Sequence, residues 1–249
     1  MAISNKQKFT IITLVFYWTV IFILTHLSPV NVSRLLPVQV SDKILHFLAF
    51  LLLAFLLWFA INPDQKVKWH QPAVWWILLI VACYAAMDEY LQGYVGRGAD
   101  IMDFLSDLLG TITGLIILTI FSFWSAALIF AGIIIFCLAN LTSINSSSLP
   151  PLINAVFLFL AFGAFTVLWV RYIHHYLKPK PPEFKWLIMS FALPIGFLSV
   201  VELFALLKNS SFRTYNIIIS IIAVSAVLAV FFLTALLKIL TTKVSQRQS

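Results

Sequence analysis

Long apolar runs, separated by short polar or proline-containing segments, dominate the chain from end to end. Eight runs reach the roughly 18 apolar residues that mark a membrane-crossing helix. The shortest interruption, at 122–124, leaves open whether 102–142 forms two tightly joined spans or one span and a tilted segment. The pattern predicts an all-α, polytopic membrane protein with about eight transmembrane helices, at 9–28, 43–62, 73–92, 102–121, 124–142, 151–173, 184–207 and 214–239.

Composition supports a membrane location and excludes a water-soluble fold. Hydrophobic residues make up 62% of the 249 positions, and the mean hydropathy is +1.02. Charged residues make up 10%, against about 25% in soluble domains. We expect two membrane regions: a four-helix region at 1–121 that carries the polar residues described below, and a four-helix region at 122–249 for which the sequence indicates no role.

The distribution of lysine and arginine predicts which side of the membrane each loop faces. If the N-terminus is cytoplasmic, eleven of the sixteen basic residues fall in cytoplasmic segments and five fall on the other side. The positive-inside rule therefore predicts that both termini are cytoplasmic. The net charge of +7 then reflects anionic membrane lipid at the inner surface. Isolated basic residues in loops are not typical of a nucleic-acid-binding protein.

Acidic residues gather at one end of this predicted bundle. Six of the nine lie in three clusters that the predicted topology brings to the extracytoplasmic face: Asp42, then Asp88 with Glu89, then Asp100, Asp103 and Asp107. Lys43, His46, Gln92 and Arg97 accompany them. Ionisable groups within a membrane usually face a cavity or a charged partner. We therefore expect a shared, outward-facing polar cavity.

Helical spacing directs most of these side chains toward a common space. His46 lies four residues after Asp42, and Gln92 lies three after Glu89, so each pair shares a helix face. The residues at 100, 103 and 107 form one stripe, which the structural pair Gly110 and Gly114 extends. Such a glycine pair lets a neighbouring helix approach closely. Asp88, about 100° around the helix from Glu89, is expected to point away. For Asp42, helix capping is as plausible a role as ligand binding.

The three clusters also carry a family resemblance. The pattern Asp42-Lys43-x-x-His46-Phe47, then Glu89-x-x-Gln92, then Gly96-Arg97-Gly98-x-Asp100-x-x-Asp103-x-x-x-Asp107-x-x-Gly110 resembles the VanZ-like family of bacterial membrane proteins over roughly 10–121. One departure adds negative charge, because the position of Asp107 is commonly Asn in that family. The resemblance implies a cell-envelope protein linked to teicoplanin resistance. Residues 122–249 lie outside it.

The expected cavity holds more carboxylates than cations, which restricts its chemistry. The five acids other than Asp88 face only Lys43 and Arg97. They cannot all be ionised in a small space, so either some of them keep their protons or a cation binds among them. An all-oxygen site made by Asp100, Asp103 and Asp107 suits Mg²⁺, Ca²⁺ or Mn²⁺. No sequence motif indicates zinc.

Three functions remain open. As an enzyme on a lipid-linked envelope precursor, the protein would hold a phosphate with Lys43, Arg97 and Gln92. His46 and Glu89 would then transfer protons, and Asp103 and Asp107 would bind a metal or activate water. Alternatively, the same cluster would serve lipid binding, flipping or proton-coupled transport. The third interpretation is a scaffold, in which the charges only hold helix ends together. The oligomeric state is not indicated by the sequence.

Overall fold

The computed structural model describes residues 4–26, 42–63, 65–95, 98–144, 151–177, 179–208 and 213–248. Its regular structure is helical in those ranges, which confirms the all-α prediction. Eight of the described helices are long and apolar enough to cross a membrane. They are α1 (Asn5–Thr25), α2 (Asp42–Ile61), α3 (Pro72–Gln92), α4 (Ile101–Ile120), α5 (Phe123–Ile144), α6 (Pro151–Tyr176), α7 (Phe184–Leu207) and α8 (Thr214–Gln248). A single 3₁₀ turn, Gly93–Val95, follows α3.

Local chemistry explains where several helices begin. The Ser4 hydroxyl accepts a hydrogen bond from the Gln7 amide at the start of α1. Pro72 occupies the first turn of α3, where its missing N–H costs nothing. Asp100 caps α4 by accepting from the Met102 amide at 2.8 Å. Each device satisfies or avoids an amide that would otherwise lack a partner at a helix start.

The interruption at 122–124 separates two helices. Phe121 ends α4 in an extended conformation, with φ −107° and ψ 142°, and α5 begins two residues later. The first of the two interpretations, two tightly joined spans, is therefore the one that the structure adopts. Elsewhere the predicted bounds agree to within a few residues. The largest differences are at the start of α1, which begins at Asn5 rather than 9, and at the end of α8, which continues to Gln248 rather than ending at 239.

The chain divides into two compact units, 1–126 and 127–249. In the N-terminal unit, α2 is the most buried span, and its most extensive contact is with α4. In the C-terminal unit, α6 packs on α7 and α8 around a core that includes Phe162, Trp186 and Leu228. Large apolar side chains such as Phe16 and Trp76 remain exposed on helix surfaces. Apolar exposure on this scale is typical of surfaces that face lipid.

Candidate functional site

The site begins at the first turns of α2, where Asp42, Lys43 and His46 lie on one end of the N-terminal unit. His46 is buried and faces α4: its Nδ1 lies 2.9 Å from Oδ1 of Asp107, which is fully buried. Its Nε2 lies 4.0 Å from Oδ1 of Asp42, one turn earlier on the same helix. The i, i+4 spacing therefore places the imidazole between two carboxylates. Asp42 occupies the first turn of α2, so a favourable interaction with the helix dipole is also available to it.

A glycine on α4 makes this close contact possible. A side-chain carbon added to Gly110 would overlap the carbonyl oxygen of Phe47 and would lie 3.1 Å from the Leu51 amide nitrogen. The backbones of α2 and α4 therefore approach too closely for any other residue at this position. This is the helix packing that the sequence predicts for Gly110, and Gly114 is buried one turn further along the same helix. The approach brings the α4 acid stripe against α2.

Lys43 binds the first two acids of that stripe. Its Nζ lies 2.8 Å from Oδ2 of Asp100 and 3.3 Å from Oδ1 of Asp103. The Lys43 hydrogen bond, followed by that from the Met102 amide, holds the pKa of Asp100 below its usual value. Asp103 is buried, whereas Asp100 and Lys43 are about half exposed. The ammonium group that was predicted to hold a phosphate therefore neutralises α4 carboxylates in this structure.

Glu89 connects the end of α3 to the same cluster. Its Oε2 accepts a hydrogen bond of 2.9 Å from the Asp100 amide. Its Oε1 is buried and has no hydrogen-bond partner among the described residues, and the same is true of Oδ2 of Asp107. Buried carboxylate oxygens without partners are rare, because leaving them unsatisfied is costly. Two such atoms in one cluster are acceptors that a hydrogen-bond donor or a cation could satisfy.

Asp88, which was expected to point about 100° away from Glu89, has polar partners of its own. It is buried, and its Oδ1 accepts a 2.9 Å hydrogen bond from the Thr25 hydroxyl on α1. Its Oδ2 accepts from the Gln92 side-chain amide at 2.8 Å. Gln92, predicted as a substrate ligand, therefore supports Asp88 in this structure. The sequence signal was present in the i, i+4 spacing of the two residues.

Thr25 and His26 are site neighbours that the sequence did not indicate. His26 Nδ1 lies 3.7 Å from Oδ1 of Asp88 and 2.8 Å from the Phe22 carbonyl oxygen. The end of α1 is thereby joined to the end of α3. No spacing rule connects residues 25 and 88, so only the tertiary structure brings them together.

Arg97 and Gly96 lie outside the described residues, so the predicted phosphate-binding role of Arg97 stays a prediction. The neighbouring Gly98 is exposed, and a side-chain carbon there would meet nothing within 4 Å.

Two groups of side chains among the described residues have the geometry to hold a metal ion. One consists of Asp42, His46 and Asp103, and the other of His46, Glu89 and Asp107. Within each group the ligand atoms lie within 4.8 Å of one another. His46 belongs to both groups, whereas Asp100, one of the three tentative ligands, belongs to neither. A site with one imidazole and two carboxylates suits a transition metal such as Mn²⁺ better than it suits Ca²⁺, which prefers oxygen ligands alone.

A second polar cluster occurs in the C-terminal unit. Glu202 on α7 lines a cavity of about 10 Å³ together with Arg213, Asn216 and Ser220, which is about the size of one water molecule. The Asn154 side-chain amide donates to the Asn216 side chain at 3.0 Å. Lys208 lies 5.0 Å from the centre of the Phe204 ring. Helices α6, α7 and α8 therefore also meet through polar groups near one end.

Comparison with known proteins agrees with the resemblance seen in the sequence. Residues 2–122 match the family model described as VanZ/LLP1. The match covers the whole of the acid cluster and ends close to the predicted limit at residue 121. No curated protein and no solved structure matches the chain.

Proposed function

We propose that the chain is a VanZ-like cell-envelope membrane protein that binds or processes a lipid-linked envelope precursor, because residues 2–122 match the VanZ/LLP1 family model. The acid cluster of α2, α3 and α4 is the proposed site. The observation that carries the proposal is the pair of buried oxygens, Glu89 Oε1 and Asp107 Oδ2, which have no hydrogen-bond partner among the residues that the structure describes and lie beside His46. Burying these groups destabilises the fold unless a ligand completes them, and membrane-embedded ionisable groups generally serve function.

The proposed chemistry assigns each group a role. His46 and Glu89 transfer protons, and Asp103 and Asp107 bind a divalent cation or activate water. Lys43 and Arg97 hold a phosphate of the substrate, with Lys43 exchanging its Asp100 contact for the substrate. In an alternative arrangement, His46, Glu89 and Asp107 would together hold the cation, and His46 and Glu89 would then act as ligands rather than in proton transfer.

The proposed site faces the extracytoplasmic side of the cytoplasmic membrane, with both termini in the cytoplasm. The excess of basic residues on the opposite side supports this orientation. A single cysteine in place of Gly98, in a chain whose Cys83 and Cys137 are replaced by Ala, tests it with a membrane-impermeant thiol reagent. Labelling of intact cells is expected, and labelling only of inverted vesicles would reverse the orientation.

A non-enzymatic lipid-binding, flipping or proton-coupled transport role uses the same residues without covalent chemistry. The link to teicoplanin resistance is part of both proposals, because it comes from the family. Product formation by purified protein from a lipid-linked phosphate would favour the enzyme. Lipid movement between leaflets without chemical change would favour transport.

The central test is Glu89→Gln and Asp103→Asn, compared for teicoplanin susceptibility in cells that express each variant. We expect both proteins to reach the membrane at normal levels and both to lose the resistance conferred by the parent chain. Glu183→Gln, which makes the same chemical change at an exposed acid of the C-terminal unit, is the matched control. Normal resistance in both test variants would contradict the proposal.

Metal binding is tested separately with Mn²⁺ alone, followed by electron paramagnetic resonance of the purified full chain. We expect a site that is weakened at least about tenfold by Asp107→Asn and by Glu89→Gln, since each removes a ligand charge. Asp100→Asn, outside both three-residue groups, should bind normally. Equal binding by all three variants would exclude this cation site.

A further inference from the structure

A cleft of about 230 Å³ lies between α1 and α2, next to the acid cluster. One wall is the α1 stripe from Tyr17 to Thr25, and the other is the α2 stripe from Asp42 to Phe50. The α1 stripe covers nine positions, which correspond to about 12 Å of helix rise. The cleft therefore extends along the membrane-crossing direction rather than across it.

The chemistry of the walls changes from one end to the other. At the inner end the Tyr17 hydroxyl donates to the Ala49 carbonyl oxygen at 3.0 Å, which closes the cleft beside Phe50. The middle is lined by aliphatic side chains, including Val20 and Leu45. The outer end is lined by Thr25, Asp42 and His46. A molecule that matches this gradient has a hydrocarbon chain and a polar head.

The polar end provides mainly hydrogen-bond acceptors. Asp42 carries a half-exposed carboxylate, and the His46 imidazole beside it lies between the carboxylates of Asp42 and Asp107. Thr25 already donates to Asp88. Acceptors of this kind bind hydroxyl or ammonium groups and disfavour an anion that brings no cation with it.

We propose that this cleft binds one hydrocarbon chain of a lipid, with a hydroxyl-bearing head group beside Asp42 and His46. This inference rests on the proposed function: it places the hydrocarbon chain and a head-group hydroxyl of the proposed lipid ligand in the cleft, whereas a phosphate of that lipid would lie outside the cleft, toward Lys43. Water does not fill a mainly apolar cleft, and α1 exposes large apolar side chains such as Phe16 to the membrane. A lipid chain can thus enter from the side. Because surrounding lipid tails are equally apolar, selectivity comes from the head group.

The experiment uses the full chain in lipid nanodiscs and a single-chain alkyl glucoside that carries a photoreactive diazirine near the end of its chain. We expect crosslinks on the two cleft stripes, mapped by mass spectrometry of the digested protein. Leu24→Trp narrows the cleft from a residue that lines it, and labelling of the stripes should fall at least about tenfold, which corresponds to a free-energy change of about 1.4 kcal/mol.

Ile23→Trp is the matched control, because Ile23 is adjacent in sequence and similarly exposed but does not line the cleft. It should label as the parent does. Val20→Trp provides a second block from the middle of the cleft, in case bulk at Leu24 alters folding. A diazirine-bearing alkane without the sugar should label the cleft about tenfold less than the glucoside.

Undiminished labelling in both Leu24→Trp and Val20→Trp would contradict lipid binding in the cleft, and so would crosslinks spread evenly over exposed helix faces. Glu89→Gln separates this result from the proposed function. If Glu89→Gln abolishes resistance while the cleft variants keep both labelling and resistance, the cleft inference fails and the acid cluster stands. If the cleft variants lose labelling while Glu89→Gln retains resistance, a lipid cleft stands without the proposed catalytic cluster.

Discussion

At one end of the N-terminal unit the helices meet through ionisable side chains, whereas at the other end they meet through indole N–H groups and backbone amides. At that second end, Trp58 donates to the Gln65 carbonyl oxygen at 2.7 Å. The Val67 amide donates to the Leu118 carbonyl oxygen at 2.9 Å, and Trp69 donates to the Thr119 hydroxyl at 3.1 Å. Neutral hydrogen bonds are thus sufficient to join α2 and α4 to the loop between α2 and α3.

The first end performs a similar joining task with groups that are far more expensive to bury. His46 and Asp107 form a buried pair, and Asp88, Glu89 and Asp103 are also buried. Buried ion pairs often stabilise a protein no better than apolar residues of the same size. Two carboxylate oxygens in the cluster have no hydrogen-bond partner within the described part of the chain. The difference between the ends argues that the acids are retained for chemistry or binding, and that their contribution to helix packing is secondary.

The strongest test removes the buried pair in two ways. His46→Leu alone and Asp107→Leu alone each leave one buried partner uncompensated, so we expect a loss of about 3–5 kcal/mol in the free energy of unfolding. The double variant replaces both groups with apolar residues and should recover most of that loss. It should nevertheless fail to confer resistance. Thermal unfolding in detergent and susceptibility assays measure the two effects.

The scaffold interpretation makes the opposite prediction for the double variant. If the pair serves only to hold helix ends, a stable double variant should also be functional. Retained resistance together with recovered stability would therefore support the scaffold and contradict the proposed site.

A smaller but more local effect is expected at the contact that brings the acid stripe to α2. Gly110→Ala places a methyl group against the Phe47 carbonyl oxygen, and because both atoms belong to helix backbones the strain cannot be relieved by a rotamer change. We expect a loss of about 1–3 kcal/mol. Gly196→Ala on α7 is the control, since its added carbon meets nothing within 4 Å and alanine favours a helix by about 1 kcal/mol. Equal stabilities for the two variants would contradict the close approach.

The sequence was sufficient for the spans because burial in a membrane requires long apolar runs, and these are visible without any tertiary information. It was also sufficient for Gly110 and for the shared face of Asp42 and His46, which depend on helical spacing alone. It did not identify the partner of Asp88, because helical spacing gives the direction of a side chain but not the residue that it meets on another helix. The end of α1 supplies Thr25 as its partner. The contact of Lys43 with both Asp100 and Asp103 likewise depends on packing between separate helices.

At the neutral end, loss of one bond should have a modest effect and no functional consequence. Trp58→Phe keeps the aromatic ring but removes the donor to Gln65. We expect a loss of about 1 kcal/mol, typical of one hydrogen bond, with normal resistance. Unfolding midpoints and susceptibility assays check this. A functional defect comparable to that of Glu89→Gln, at similar expression, would contradict the proposal that the ionisable end serves function and the neutral end serves only helix packing.

The smallest expected effect concerns acid sensitivity at the ionisable end. Lys43 holds the pKa of Asp100 below its usual value, so the folded state binds a proton less readily than the unfolded chain does. The stabilisation is therefore present above the ordinary carboxyl pKa of about 3.9 and is lost as the pH falls through the lower folded value. Both partners are about half exposed, so solvent screening keeps the effect small.

Between about pH 5 and pH 2.5, a range that spans the ordinary carboxyl pKa, the unfolding midpoint should fall less in Lys43→Gln than in the parent. Lys185→Gln, an exposed lysine of the C-terminal unit, should fall as the parent does. Parallel curves for Lys43→Gln and the parent would mean that the Lys43–Asp100 contact does not persist in solution, and the difference between the two ends would then rest on the buried pair alone.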